Sequence, residues 1–120
     1  DTIETMQKTS DLAMELNTEY ANFFLAMAYP GTSLYEDALK KGYELPKEWG
    51  QYGFFAPDAL PLRNDNITAT EILDFRDNAF ERYFSSDHYQ NLVTDKFGSH
   101  ITDFINNEIL SKNIKRNHRV

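Results

Sequence analysis

The sequence contains no cysteine. That excludes disulfides, zinc–thiolate sites, thiol nucleophiles and any iron–sulfur cluster held by the chain's own sulfur. Long hydrophobic runs are also missing: the apolar stretch from Tyr20 to Ala28 is too short for a membrane span, and nothing resembles a signal peptide. Positive charge is scarce, with 12 Lys and Arg against 19 Asp and Glu and a net charge of −7. A balance of that sign works against general attraction to nucleic acid or anionic lipid. There is no glycine-rich phosphate loop, no dinucleotide fingerprint and no Ser-His-Asp set. These absences lead us to expect a soluble, cytoplasmic chain with neither nucleic-acid nor membrane partners. The chain starts at Asp1 rather than Met, which reads as a processed chain or an excised piece.

What is present suits one small domain: 120 residues, 41% of them apolar. The organising stretch is Tyr20-Ala-Asn-Phe-Phe-Leu-Ala-Met-Ala-Tyr-Pro-Gly-Thr-Ser-Leu-Tyr35, uncharged throughout. Tyr20 to Ala28 is almost wholly apolar without helical periodicity, and reads as a strand buried on both faces, the kind found in parallel sheets. Pro30-Gly31 breaks it, and Thr32 is placed to cap a helix from Ser33 to Lys41 closed by Gly42. Before it, residues 1–17 form an amphipathic helix. Asp1 and Glu4 are spaced as a capping box, Ile3, Met6, Leu12, Ala13 and Leu16 share one face, and Asn17-Thr18 is the stop. The expected fold class is therefore α/β, or α+β by content.

Residues 43–67 hold three of the four prolines together with Tyr43, Trp49, Tyr52, Phe54 and Phe55, and read as a covering loop. Thr68 and Glu71 open a helix to about Phe84. Ser86-Asp87 opens another that stops at Gly98, and a last helix runs from about Ser99 to Ser111. The organisation is then 1–42 as an α-β-α unit, 43–67 as the loop and 68–120 as a helical extension. Lys112, Lys115, Arg116, His118 and Arg119 crowd the final nine residues, which we read as a frayed, solvated tail.

Asp1-Thr-Ile-Glu-Thr5, Ala21-Asn-Phe-Phe, Ala26-Met-Ala-Tyr-Pro-Gly-Thr-Ser-Leu-Tyr35, Leu60-Pro-Leu62 and Phe75-Arg-Asp-x-Ala-Phe80 together resemble radical S-adenosylmethionine enzymes. The nearest likeness is to the class that also binds cobalamin, over its C-terminal portion and up to about Gly98. The resemblance implies a C-terminal piece of a partial (β/α)6 barrel, with residues 2–17 as the fifth helix, one buried strand at Tyr20–Ala28 as the sixth, and Ser33–Lys41 as the sixth helix. It implies a parent enzyme that cleaves S-adenosylmethionine reductively with a [4Fe–4S] cluster, with cobalamin as a further cofactor of that class. The family's Cys-x-x-x-Cys-x-x-Cys signature is absent here, so this chain alone is expected to be inert, to hold no catalytic residue and to bind no cofactor by itself. What the resemblance carries over is one edge of the adenine site: Ala26, Met27, Ala28, Tyr29, Pro30, Gly31 and Thr32.

Each of these residues also has a plainer role. Gly31 serves close ligand approach or positive φ, and the turn alone is a sufficient reason for it. Thr32 reads as an N-cap before a phosphate contact. Asn22 is a polar residue in an apolar strand; it faces an interior ligand or pairs with neighbouring backbone. Trp49 and its aromatic neighbours form a lid or a hydrophobic seal. His88 and His100, with Asp87 and Asp103, lack metal-binding spacing, and Asp87 reads as a helix cap, so no metal site is assigned.

The expected partner is the remainder of the parent enzyme. With no fifth strand beside it, Tyr20–Ala28 exposes backbone edges, which predicts a non-native two-fold homodimer through that strand unless the loop near Gly53–Ala56 pairs with it. The alternative to the enzyme piece is a free-standing, non-catalytic acidic helical module that binds a protein.

Overall fold

The helix signals are met close to their expected places. In the computed structural model, which describes residues 1 to 119, α1 spans Ile3–Leu16, α2 Ser33–Lys40, α3 Ala69–Ser85, α4 Asp87–Phe97 and α5 Ser99–Phe104. A π-helical turn, Ile105–Leu110, continues directly from α5, and short 3-10 turns lie at Trp49–Tyr52 and Asn117–Arg119. Asn17 ends α1 at φ +46°, its N–H donating to the Ala13 carbonyl at 3.2 Å, a left-handed stop that asparagine tolerates. Thr68 and Glu71 form the predicted capping box at α3. The Glu71 carboxylate accepts from the Thr68 N–H at 2.8 Å, and the Thr68 hydroxyl oxygen accepts from the Glu71 N–H at 3.3 Å. Before α4 the cap is Ser86, whose hydroxyl accepts from the Tyr89 N–H at 3.2 Å, rather than the expected Asp87.

The expected strand is absent. Among the described residues there is no strand and hence no sheet, which overturns the α/β (or α+β) class, the buried strand at Tyr20–Ala28 and the partial (β/α)6 barrel alike. An apolar run becomes a strand only if a second segment runs beside it and takes up its backbone groups. Here groups in and just before the run are taken singly. The Thr18 carbonyl accepts from the Tyr83 hydroxyl at 2.5 Å, the Glu19 carbonyl from the Tyr89 hydroxyl at 3.0 Å, and the Ala26 carbonyl from the Leu62 N–H at 2.8 Å. Nor is the segment buried on both faces. Leu25, Met27 and Ala28 are buried, whereas Tyr20 and Phe24 are 65% and 70% exposed.

The chain divides into two compact units. One comprises Ile3–Phe23 and Asp77–Asn113. Its core is Tyr83, Phe84, Tyr89, Val93 and Ile105, flanked by Ala13, Met14, Phe23, Phe80, Ile101 and Ile109. Aromatic rings meet at angles within it, as in the edge-on Phe84–Tyr89 pair at 5.1 Å and the Phe23–Tyr83 pair at 5.7 Å. Gln90 and Asn106 exchange side-chain amide hydrogen bonds at 2.7 and 3.3 Å, joining α4 to the π-helical turn. On α1, Ile3, Leu12 and Leu16, expected to face inward, are exposed.

The other unit comprises Asp1–Thr2, Phe24–Arg76 and the tail from Ile114 onward. Its buried apolar residues are Leu25, Met27, Ala28, Ala38, Ala59, Ile67, Ile72 and Leu73, with Pro61. Its long loop is held by scattered backbone bonds, among them the Leu60 N–H to Gln51 and the Ala59 N–H to Ala56. The described part of the tail, residues 114 to 119, is not frayed, and Val120 lies outside the described residues. Arg116 is 4% exposed and donates to the Ala56 carbonyl at 2.9 Å, and the Asn117 N–H donates to the Pro57 carbonyl at the same distance. No helix among the described residues is long and apolar enough to cross a membrane.

Candidate functional site

The site is best built outward from the break in the apolar stretch. Tyr29, Pro30, Gly31 and Thr32 form a β-turn closed by the Thr32 N–H donating to the Tyr29 carbonyl at 3.2 Å. Pro30 sets the φ of the second position, and Gly31, at φ +86°, supplies the positive φ that the third position of a type II turn demands. Open space surrounds the place a Gly31 Cβ would occupy, so the turn conformation accounts for this glycine and no close approach is needed. Thr32 is then the N-cap of α2. Its hydroxyl donates to the Tyr29 carbonyl at 2.7 Å and accepts from the Tyr35 N–H at 3.2 Å.

A second piece comes from the long loop. The Gln51 side-chain oxygen accepts from the Lys47 and Glu48 N–H groups at 2.7 and 3.1 Å, which tightens residues 47–51 and fixes the 3-10 turn carrying Trp49 and Tyr52. The Tyr29 and Tyr52 rings stack at 5.2 Å and 19°, and Trp49 lies 5.8 Å from Tyr52 at 39°. Together the turn, α2 and the loop enclose a cup of about 240 Å³ lined by Pro30, Tyr35, Pro46, Trp49 and Tyr52, with Lys47 and Glu48.

Tyr52 is the anomaly of this cup. Its phenolic oxygen is buried, and among the described residues it has no hydrogen-bond partner. Burial pushes its pKa up, and the neighbouring hydroxyls of Tyr35 and Tyr29 add to the shift. The buried hydroxyls of the other unit differ, since both Tyr83 and Tyr89 reach backbone carbonyls.

A second, larger opening of about 420 Å³ lies against the tail, lined by Pro57, Ile114, Lys115, Arg116, Asn117 and Arg119. Two of its cations are already engaged: Arg116 with the Ala56 carbonyl, and Arg119 with the Asp74 carboxylate at 2.7 Å. His118 Nε2 lies 2.8 Å from the same Asp74 oxygen. Burial raises the Asp74 pKa, but the bonds to His118 and Arg119 outweigh it and hold this carboxyl below its ordinary range.

Of the residues expected at an adenine edge, Met27 and Ala28 are buried in the unit's core, while Ala26 and the turn from Tyr29 to Thr32 are exposed. Only Pro30 of that set lines the cup. Asn22 lies exposed in the irregular backbone between α1 and α2. Among the described residues, no three His, Asp or Glu side chains gather in a way that could hold a metal ion. Tyr35, Pro46 and the Asp74–His118–Arg119 set were not foreseen as site residues. The proline and aromatic content of residues 43–67 signalled Pro46, while nothing in the pattern around Tyr35, or in the spacing of Asp74 and the tail, signalled the others.

Comparison with protein-family models, curated proteins and solved structures finds no match to this chain.

Proposed function

We propose that the chain is the non-catalytic C-terminal region of a radical S-adenosylmethionine enzyme, and that it docks on the part of that enzyme holding the cluster and the nucleoside. The observation that carries this reading is the exposure of Tyr20, Phe24, Tyr29 and Leu34. All four lie in the stretch that bears most of the family resemblance, and Tyr20, Phe24 and Tyr29 lie in its irregular backbone. Exposed apolar side chains favour cover by another surface. The proposal assigns this chain no barrel strand, because the described residues form no sheet.

An iron–sulfur cluster does not fit the donor set of this chain, which has no thiol. Toward S-adenosylmethionine, the chain offers the exposed Tyr29–Thr32 turn as an edge, with Met27 and Ala28 supporting it from the core.

Reading the gene upstream of the Asp1 codon tests the proposal. The expected result is an open frame carrying Cys-x-x-x-Cys-x-x-Cys. A start codon immediately before Asp1 would overturn it and leave the acidic helical interaction module as the reading.

A further inference from the structure

The cup beside Trp49 holds about 240 Å³, below the roughly 300–1,000 Å³ of pockets for drug-sized ligands, and so suits a single ring with its substituents. Its walls are rings: Pro30, Pro46, Tyr35, Tyr52 and Trp49, the last 79% exposed. Only two charged residues line it, Lys47 and Glu48, adjacent in sequence and of opposite sign. We propose that this cup binds one pyranose ring of an uncharged sugar. The inference is independent of the enzyme reading above, since it rests only on the geometry of one unit.

Three features select this ligand. First, one cation and one anion in the lining cancel, which favours a guest without net charge over an anion or a cation. Second, Lys47 and Glu48 are both exposed, on flexible side chains, one offering only donors and the other only acceptors. A sugar hydroxyl is donor and acceptor at once, so neighbouring hydroxyls of one ring can accept from the Lys47 ammonium and donate to the Glu48 carboxylate. Third, the Trp49 indole is a platform that its own unit leaves largely open. The C–H groups on one face of a pyranose carry slight positive charge and pack on the negative face of an aromatic ring. A flat nucleobase is held best in a slot between parallel rings. Here Trp49 meets Tyr52 tilted at 39°, and the near-parallel Tyr29–Tyr52 pair is already closed at 5.2 Å.

Trp49 is the sole tryptophan, so its emission reports directly on the cup. The whole chain is titrated with the methyl glycosides of glucose, galactose and mannose, with sorbitol, which has the hydroxyls but no ring, and with adenosine. A saturable emission change is expected with at least one glycoside and with neither control. Maltose, lactose and cellobiose extend the series: a disaccharide that binds as well marks the end of a glycan as the source, and exclusion of all three marks a free monosaccharide. Trp49→Ala, followed by ligand-observed NMR, should abolish binding of the glycoside and leave the melting temperature unchanged, because the ring is exposed. Lys47→Ala and Glu48→Ala should each weaken binding about three- to tenfold, the worth of one hydrogen bond. The proposal is overturned by no saturable response to any glycoside, by an equal response to sorbitol, or by adenosine displacing the sugar. Full affinity in Trp49→Ala overturns it too, and so does full affinity in both Lys47→Ala and Glu48→Ala.

Discussion

The unit built from α1, the C-terminal half of α3, α4 and α5 differs from the unit built around the long loop in how each treats its buried polar groups. In the first, two core tyrosines carry their hydroxyls to the Thr18 and Glu19 carbonyls, and Gln90 and Asn106 answer each other's amides. In the second, Tyr52 leaves its hydroxyl without a partner among the described residues, and Trp49 and Phe55 stand exposed beside the loop's buried residues. The lesson is that similar aromatic content makes a closed core where every polar tip finds a partner, and a less completed one where a buried hydroxyl finds none.

The largest expected effect falls on the closed core. Phe84 is among its most buried side chains, and Phe84→Ala should cost about 3–5 kcal/mol by removing transfer energy and leaving a cavity. Urea denaturation of the helical unit would show it; a loss under about 1 kcal/mol would mean that this core repacks freely and is less closed than described.

In the loop-built unit the backbone is the sensitive part. Gly31→Val places a β-branched side chain at φ +86° and should cost about 1–3 kcal/mol, although no atom stands in its way. Thermal denaturation of that variant beside Gly31→Asn, which tolerates positive φ better, separates strain from packing. Equal melting temperatures for the two would place the cost elsewhere.

Asp74 sharpens the comparison through pH. Its folded pKa is lowered from an ordinary 3.8, because hydrogen bonds from His118 and Arg119 overcome the opposing effect of burial. A carboxyl depressed on folding contributes its stabilisation in full above the unfolded value and loses it as pH falls through the folded one. The tail should therefore keep this stabilisation near neutrality and lose it as the pH falls below the ordinary 3.8 of Asp74, which loosens its docking. Amide exchange at residues 114–119 measured between pH 5 and 3 would show this; release of the tail already at pH 6 would contradict it.

Many of the helix ends were legible. The Thr68–Glu71 box, the Ser86-Asp87 start and the Gly98 stop are local signals, and each lies within the reach of a few residues. The turn at Pro30-Gly31 and the cap at Thr32 were legible for the same reason. Tyr20–Ala28 was misread because apolar content reports burial, whereas a strand requires a partner elsewhere in the chain. Its Ala26 carbonyl found the Leu62 N–H, and the Thr18 and Glu19 carbonyls just before it found two tyrosine hydroxyls, at separations of 36 to 70 residues. The tail was misread because its five basic residues suggest solvent, while Asp74 and the Ala56 carbonyl lie far back in the sequence. In the cup, Trp49 and Tyr52 were marked by composition, but their meeting with Pro30 and Tyr35 is a product of folding.

The most direct measurement of the contrast between the units is thermal denaturation of three hydroxyl deletions, Tyr83→Phe, Tyr89→Phe and Tyr52→Phe. The first two strip a partner from a backbone carbonyl, and each should lower the melting temperature by about 3–8 °C, corresponding to roughly 1 kcal/mol. Tyr52→Phe removes a group that is desolvated without compensation, so its melting temperature should be unchanged or higher. A loss in Tyr52→Phe as large as in Tyr83→Phe would contradict the account, because it would show the loop-built unit to be as fully satisfied as the helical one.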